Sequence, residues 1–167
     1  MESVNKDSGG ANELRKHLED LGRKIQSGPD IDKIIIGIFD NDAKGNQEFG
    51  GLNQDFLPID SRLKKFINKS IYALKLPIPN DDCFKQYIQE KQEFKFFSIE
   101  NYFPVEYLKG HNMVTMTPIN DVYEITGKKT EFASIVQQEN DENLFKYFPV
   151  LLRVIDDICG KSINYIE

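Results

Sequence analysis

The spacing of apolar positions predicts that helices and strands alternate along the chain. Between residues 11 and 25, apolar side chains recur at intervals of four, three and four, a helical stripe made of Leu14, Leu18, Leu21 and Ile25. Residues 33–39, Lys-Ile-Ile-Ile-Gly-Ile-Phe, form the most apolar run of the sequence. A continuous β-branched run is typical of a strand buried on both faces, as in a parallel sheet. The pattern therefore favours the α/β class.

The remaining pattern predicts one domain. Further helices are expected at 43–49, at 82–91, from about 131, and at 141–159, and further strands at 70–76, 113–117 and 122–125. We expect a small, mainly parallel sheet flanked by helices, with a helical C-terminal part. This domain spans residues 11–160, between a disordered N-terminus at 1–10 and a tail at 161–167.

Two carboxylates follow the apolar run directly. Asp40 and Asp42 lie two residues apart just past its C-terminal end, where α/β sheets bind their ligands. On an extended backbone this spacing puts both side chains on one face. Carboxylate oxygens there suit Mg²⁺, Mn²⁺ or Ca²⁺. The alternative is a structural Asp-Asn-Asp turn, because Asp and Asn bond nearby backbone groups. The spacing alone leaves both open.

Three further charged residues are candidates for a site. Glu100 stands alone among apolar residues. It either faces solvent at the start of a helix or is buried with a partner, because acids are rarely buried unpaired. Lys128 and Lys129 precede a predicted helix. They either meet a phosphate or are simply exposed. The basic stretch at 61–69 is more typical of a solvated face than of a phosphate site.

Composition narrows the possible partners. The formal net charge is −6, from 21 Lys and Arg against 27 Asp and Glu. This argues against a module that binds nucleic acid by charge alone, and less against a nuclease whose bound metal ions do the neutralising. No apolar run approaches a membrane span, so no membrane partner is expected. Cys83 and Cys159 have no metal-site spacing and indicate free thiols, as in the cytoplasm.

Four segments, taken in order, resemble one known family. Residues 36–45, Ile-Gly-Ile-Phe-Asp-Asn-Asp-Ala-Lys-Gly, resemble the DxD motif of Toprim domains. Residues 8–14 are similar to the Gly-rich turn and helix before that motif. Residues 97–103 and 125–133 resemble C-terminal segments of one Toprim branch, the overcoming-lysogenization-defect (OLD) family of ATP-dependent endonucleases. The resemblance covers most of residues 8–158.

This resemblance implies a partial Toprim-like fold and a DNA endonuclease that uses two divalent metals, Mg²⁺ or Mn²⁺. By position, Asp40 and Asp42 are implied metal ligands, and Glu100 is a further acid near the second metal. Lys128 or Lys129 is implied to meet the scissile phosphate, and we favour Lys128. The implied partners are DNA and an ABC-type ATPase domain in the same or a longer polypeptide. The sequence leaves the oligomeric state open, with a homodimer as one alternative.

One departure from the family limits this expectation. A Toprim domain opens with a strand carrying a Glu in a motif like Val-Glu-Gly, and residues 1–10 offer none. We therefore expect a fragment or a degenerate homologue that lacks the first third of the domain, with weak or no nuclease activity in isolation. A catalytically silent interaction module remains the alternative. A receiver-like phosphoacceptor fits less well, since residues 70–79 and 112–126 do not supply its pattern of a further Asp and a Lys at later strand ends.

Overall fold

The computed structural model describes residues 10–25, 33–89, 94–117 and 122–160. Most of the predicted disordered N-terminus and the tail at 161–167 lie outside these residues. The chain forms two compact units. The first comprises the described parts of Met1–Asp40 and Lys44–Lys75, and the second those of Asn41–Ala43 and Leu76–Glu167.

The first unit contains a four-stranded mixed sheet and two helices. Its elements are α1 (Ala11–Lys24), β1 (Ile35–Phe39), α2 (Ala43–Gly50), β2 (Phe56–Pro58), β3 (Leu63–Phe66) and β4 (Ile71–Lys75). The strand order is β1-β4-β3-β2. The pair β1 and β4 is parallel, starting from Ile35 opposite Ile71, whereas the other two pairs are antiparallel.

The prediction of a mainly parallel sheet is not confirmed. Two short strands, β2 and β3, were not expected, and the basic stretch at 61–69, which contains β3, had indicated a solvated face. The Asp60 carboxylate accepts the backbone N–H groups of Arg62 and Leu63, at 2.6 and 2.9 Å. This tight turn joins β2 to β3, and a turn of that length permits only antiparallel pairing.

Helix α1 packs on the sheet through the predicted stripe. Leu18 is 1% exposed and belongs to a core that includes Phe39, Phe49, Phe66 and Ala73. A Cβ on Gly37 of β1 would lie 2.5 Å from a Leu18 methyl group. The glycine inside the apolar run therefore lets the helix approach the strand closely.

A buried carboxylate joins α1 to α2 within this unit. Glu48 is 4% exposed, and its oxygens lie 2.7 Å from Lys44 Nζ and 3.2 Å from Arg15 Nε. The Lys44 hydrogen bond is the main cause that holds the pKa of Glu48 below its usual value. Two cations thus compensate for the burial of this charge.

The described part of the second unit contains short helices and two antiparallel sheets of two strands each. Three 3₁₀-helices span Asp82–Tyr87, Ile99–Tyr102 and Glu142–Phe145. The other elements are β5 (Ile88–Gln89), β6 (Phe94–Lys95), α3 (Val105–Gly110), β7 (Val114–Thr117), β8 (Val122–Ile125), α4 (Lys129–Val136) and α5 (Pro149–Ile158). Strands β5 and β6 pair antiparallel, as do β7 and β8. The strands predicted at 113–117 and 122–125 are confirmed.

Two helix predictions in this unit are corrected. The helix expected at 82–91 is only the 3₁₀-helix Asp82–Tyr87, after which the chain extends into β5. The helix expected at 141–159 is two helices, since α5 starts at Pro149. Proline lacks a backbone N–H and is accommodated in the first turn of a helix but not in its interior.

Candidate functional site

A buried asparagine fixes the turn between the two carboxylates. Asn41 is 4% exposed, and its Nδ2 donates to the carbonyl of Leu76 at 3.0 Å. Its backbone also exchanges two hydrogen bonds with Phe97, at 2.7 and 3.2 Å. Asn41 therefore pairs with Phe97 as in an antiparallel sheet, and this pairing places the next residue, Asp42, opposite Phe96.

A cavity of about 260 Å³ opens at this point in the second unit. Its lining includes two acids, a hydroxyl and a lysine from distant parts of the sequence, and consists of Asp42, Phe96, Ser98, Glu124, Ile125 and Lys129. Asp42 and Glu124 are half-buried. The Glu124 carboxylate accepts a hydrogen bond from Thr117 Oγ1 at 3.0 Å, which orients it on β8.

Glu100 is buried and paired, and does not face solvent. It is 8% exposed, its Oε2 lies 3.0 Å from Lys129 Nζ, and it accepts a hydrogen bond from Ser98 Oγ at 2.7 Å. A capping box formed by Ser98 and Asn101 starts the 3₁₀-helix Ile99–Tyr102 and holds Glu100 in its first turn. The pairing with Lys129 compensates for the burial of the acid.

The structure brings Lys129, and not the favoured Lys128, to the acids. Lys128 is the N-cap of α4. Its side chain is 79% exposed and pairs with Glu131 at 2.7 Å. Lys129 begins the helix, lines the cavity and is 49% exposed. Successive residues at a helix start point about 100° apart, which sends the two neighbouring lysines to different sides.

The other predicted acid, Asp40, belongs to the first unit. It follows β1 directly and is half-buried. Sequence reasoning missed Ser98 and Glu124. Ser98 had a signal, because serine is a favoured N-cap residue and a helix start near Glu100 was one of the two alternatives. Glu124 stands in a strand two residues before the predicted turn at 126–130, and nothing in its local sequence marks it as part of a site.

The oxygen donors that line the cavity suit a hard cation whose remaining ligands would come from water and a phosphate. Among the described residues, no three His, Cys, Asp or Glu side chains are grouped so as to hold a metal ion. Mg²⁺, however, is commonly bound by one or two carboxylates together with waters and substrate phosphates. Asp42 and Glu124 place two carboxylates in one cavity, and Lys129 places a positive charge in the same cavity.

Comparison with models of known protein families, with curated proteins and with solved structures finds no match. Within the described ranges, every helix is too short or too polar to cross a bilayer. Cys83 and Cys159 are free thiols.

Proposed function

We propose that the chain carries a divalent-metal-dependent phosphodiesterase site that acts on DNA, in a partial Toprim-like domain of the OLD type. One observation supports this most strongly. Three of the four segments that carry the family resemblance each contribute to the same cavity and ion pair. Asp42 comes from 36–45, Ser98 and Glu100 from 97–103, and Lys129 from 125–133.

In this proposal the acidic and the basic residues of the cavity have different roles. Asp42 and Glu124 offer oxygen ligands, and Lys129 offers a positive charge to a phosphate that enters the cavity. Ser98 holds the carboxylate of Glu100, so that Glu100 stays close to Lys129. When bound, Mg²⁺ or Mn²⁺ would neutralise developing charge and lower the pKa of an attacking water.

The roles that the sequence analysis gave to Asp40 and Lys128 stay predictions. Asp40 precedes Asp42 by two residues, and its role as a ligand depends on that spacing and on the resemblance. The role of Lys128 at a phosphate depends on the resemblance alone, because its side chain pairs with Glu131. On this geometry we favour Lys129.

A catalytically silent interaction module is the second candidate. The ion pair between Lys129 and Glu100 favours it, because that pair already neutralises one acid without a metal. In such a module the acidic turn would be structural, and divalent cations would bind no better than to any exposed carboxylate.

Calorimetric titration with Mn²⁺ separates the two candidates. We expect millimolar or tighter binding that is lost in Asp42→Ala. Asp82→Ala is the matched control, because Asp82 is a 90% exposed carboxylate of the same unit whose Oδ1 lies 2.8 Å from Lys85. Binding that survives in both variants, or is absent from the wild type, supports the silent module.

Plasmid nicking and DNA binding test the reaction itself. Fluorescence anisotropy with a short duplex in Mg²⁺ should show weaker binding for Lys129→Ala than for Lys128→Ala. Because no three His, Cys, Asp or Glu side chains of the described residues are grouped to hold a metal ion, we expect slow or undetectable nicking by the isolated chain. Rapid Mn²⁺-dependent nicking that Asp40→Ala abolishes would contradict that expectation of weak activity.

A further inference from the structure

The segment from β2 to β4 in the first unit is basic, although the chain as a whole is acidic. Residues 56–75 contain five Lys and Arg but a single acid, Asp60, whereas the formal net charge of the chain is −6. The Asp60 carboxylate is used by the turn between β2 and β3, where it accepts the backbone N–H groups of Arg62 and Leu63. The acids of this segment therefore do not balance its positive charge.

Three of these cations belong to one face of the sheet. Lys64 of β3 lies opposite Ala73 of β4, which is part of the core on the side of α1. Lys75 follows Ala73 by two residues on β4 and therefore faces the same way. Arg62 precedes Lys64 by two residues, and its carbonyl accepts the backbone N–H of Lys75 at 2.8 Å. Arg62 and Lys75 are thus cross-strand neighbours, a position in which like charges destabilise a sheet.

The two lysines lie over the same aromatic ring. The Nζ atoms of Lys64 and Lys75 are 4.8 and 5.0 Å from the ring centroid of Phe49 in α2, so the two ammonium groups are at most about 10 Å apart. Lys64 Nζ also donates to the Phe49 carbonyl at 2.9 Å. Lys75 Nζ donates to Asn46 Oδ1, likewise at 2.9 Å. These contacts with α2 hold both side chains in place and fix the spacing of their charges.

Arg62 and Lys64 have no carboxylate partner among the described residues. Arg62 is exposed, and Lys64 uses one of the three donors of its ammonium group on the Phe49 carbonyl. Burial lowers the pKa of Lys64, so a negative charge beside it would stabilise its ammonium form. Four other cations of the same unit are each ion-paired with an acid, namely Arg15, Lys16, Arg23 and Lys44.

We propose that Arg62, Lys64 and Lys75 form a surface that binds the phosphate backbone of duplex DNA. Each strand of the duplex carries one negative charge per about 3.4 Å of helix axis, so cations up to about 10 Å apart can contact successive phosphates of one strand. Bound phosphates also offset the repulsion between Arg62 and Lys75. The choice of DNA over other polyanions rests on the proposed function, but the surface lies within the first unit and needs no metal.

Fluorescence anisotropy with a short labelled duplex in EDTA tests the proposal without any contribution from bound metal. Arg62→Gln should weaken binding about eightfold at about 0.1 M salt and reduce the slope of log K against log salt by about 0.9, the values for one phosphate contact. Arg23→Gln is the matched control, because it removes the same charge from an exposed arginine of the same unit that is paired with Asp20. Its effect on affinity and slope should be far smaller. Arg62→Lys keeps the charge and should retain most of the affinity.

Equal effects of Arg62→Gln and Arg23→Gln, or no salt-dependent binding by the wild type in EDTA, would overturn the proposal. Lys64→Gln should also weaken binding. If it fails to fold, Arg62→Gln still decides, because the Arg62 side chain has no hydrogen bond or ion pair with a described residue to lose. Tighter binding of an RNA duplex of the same sequence, with the same dependence on Arg62, would overturn the choice of DNA. The Mn²⁺ titration concerns the acidic cavity alone, so a failure of the proposed function and a failure of this surface give different results.

Discussion

Replacing Lys129 with methionine should destabilise the protein, whereas the same change at Lys128 should not. Both residues are lysines at the start of α4, and methionine keeps the length of the side chain without its charge. Lys129 pairs with Glu100, whose side chain is 11% exposed. Lys128 pairs with Glu131, whose side chain is 67% exposed. The two substitutions therefore differ mainly in how deeply the remaining acid is buried.

The expected loss of stability follows from the burial of Glu100. Removing one partner of a fully buried ion pair costs about 3–5 kcal/mol. The Lys129 side chain is 49% exposed, so water already screens its end of the pair. Glu100 also keeps its hydrogen bond from Ser98. We expect Lys129→Met to lower the free energy of unfolding by about 1–2 kcal/mol. An exposed pair contributes about 0–1 kcal/mol, so Lys128→Met should have little effect.

Urea unfolding followed by circular dichroism measures both variants. Adding Glu100→Gln to Lys129→Met should recover most of the loss, because the amide keeps the hydrogen bond from Ser98 but leaves no buried charge. The double-mutant cycle then isolates the coupling between Lys129 and Glu100. Equal stabilities for Lys128→Met and Lys129→Met, with no coupling in the cycle, would refute the argument that Glu100 depends on Lys129.

Two further predictions concern the first unit. Gly22→Ala should lower stability by about 1–2 kcal/mol even though alanine favours helices by about 1 kcal/mol, because its Cβ would lie 2.1 Å from the Phe66 ring. Thermal unfolding should show the loss for Gly22→Ala but not for Gly50→Ala, a helical position with no atom within 4 Å of the added Cβ. Glu48→Gln should be less stable than the wild type at neutral pH. The gap should narrow as the pH falls through the lowered pKa of Glu48, because a depressed carboxyl pKa stabilises the fold only while the group is ionised. A gap that stays constant from pH 7 to pH 3 would contradict this.

Local pattern was sufficient for the elements whose signal lies within one segment. The stripe of α1 and the apolar run of β1 appear where periodicity places them, at Ala11–Lys24 and Ile35–Phe39. A helical stripe or a β-branched run already indicates which face of the element is buried. The secondary structure of that segment therefore follows from the sequence. Strands β2 and β3 gave no such signal, because β2 is only three residues long and β3 has two lysines at its centre.

The same division applies to the candidate site. The sequence determined that Asp42 follows a buried strand, that Glu100 is an acid in apolar surroundings, and that two lysines start α4. Only the tertiary structure decided that Glu100 is buried against Lys129, and that Ser98 and Glu124 face the same cavity as Asp42. The reason is physical. Periodicity describes a residue relative to its own helix or strand, whereas a site depends on which elements meet, and the contacts that decide this join residues far apart in the chain.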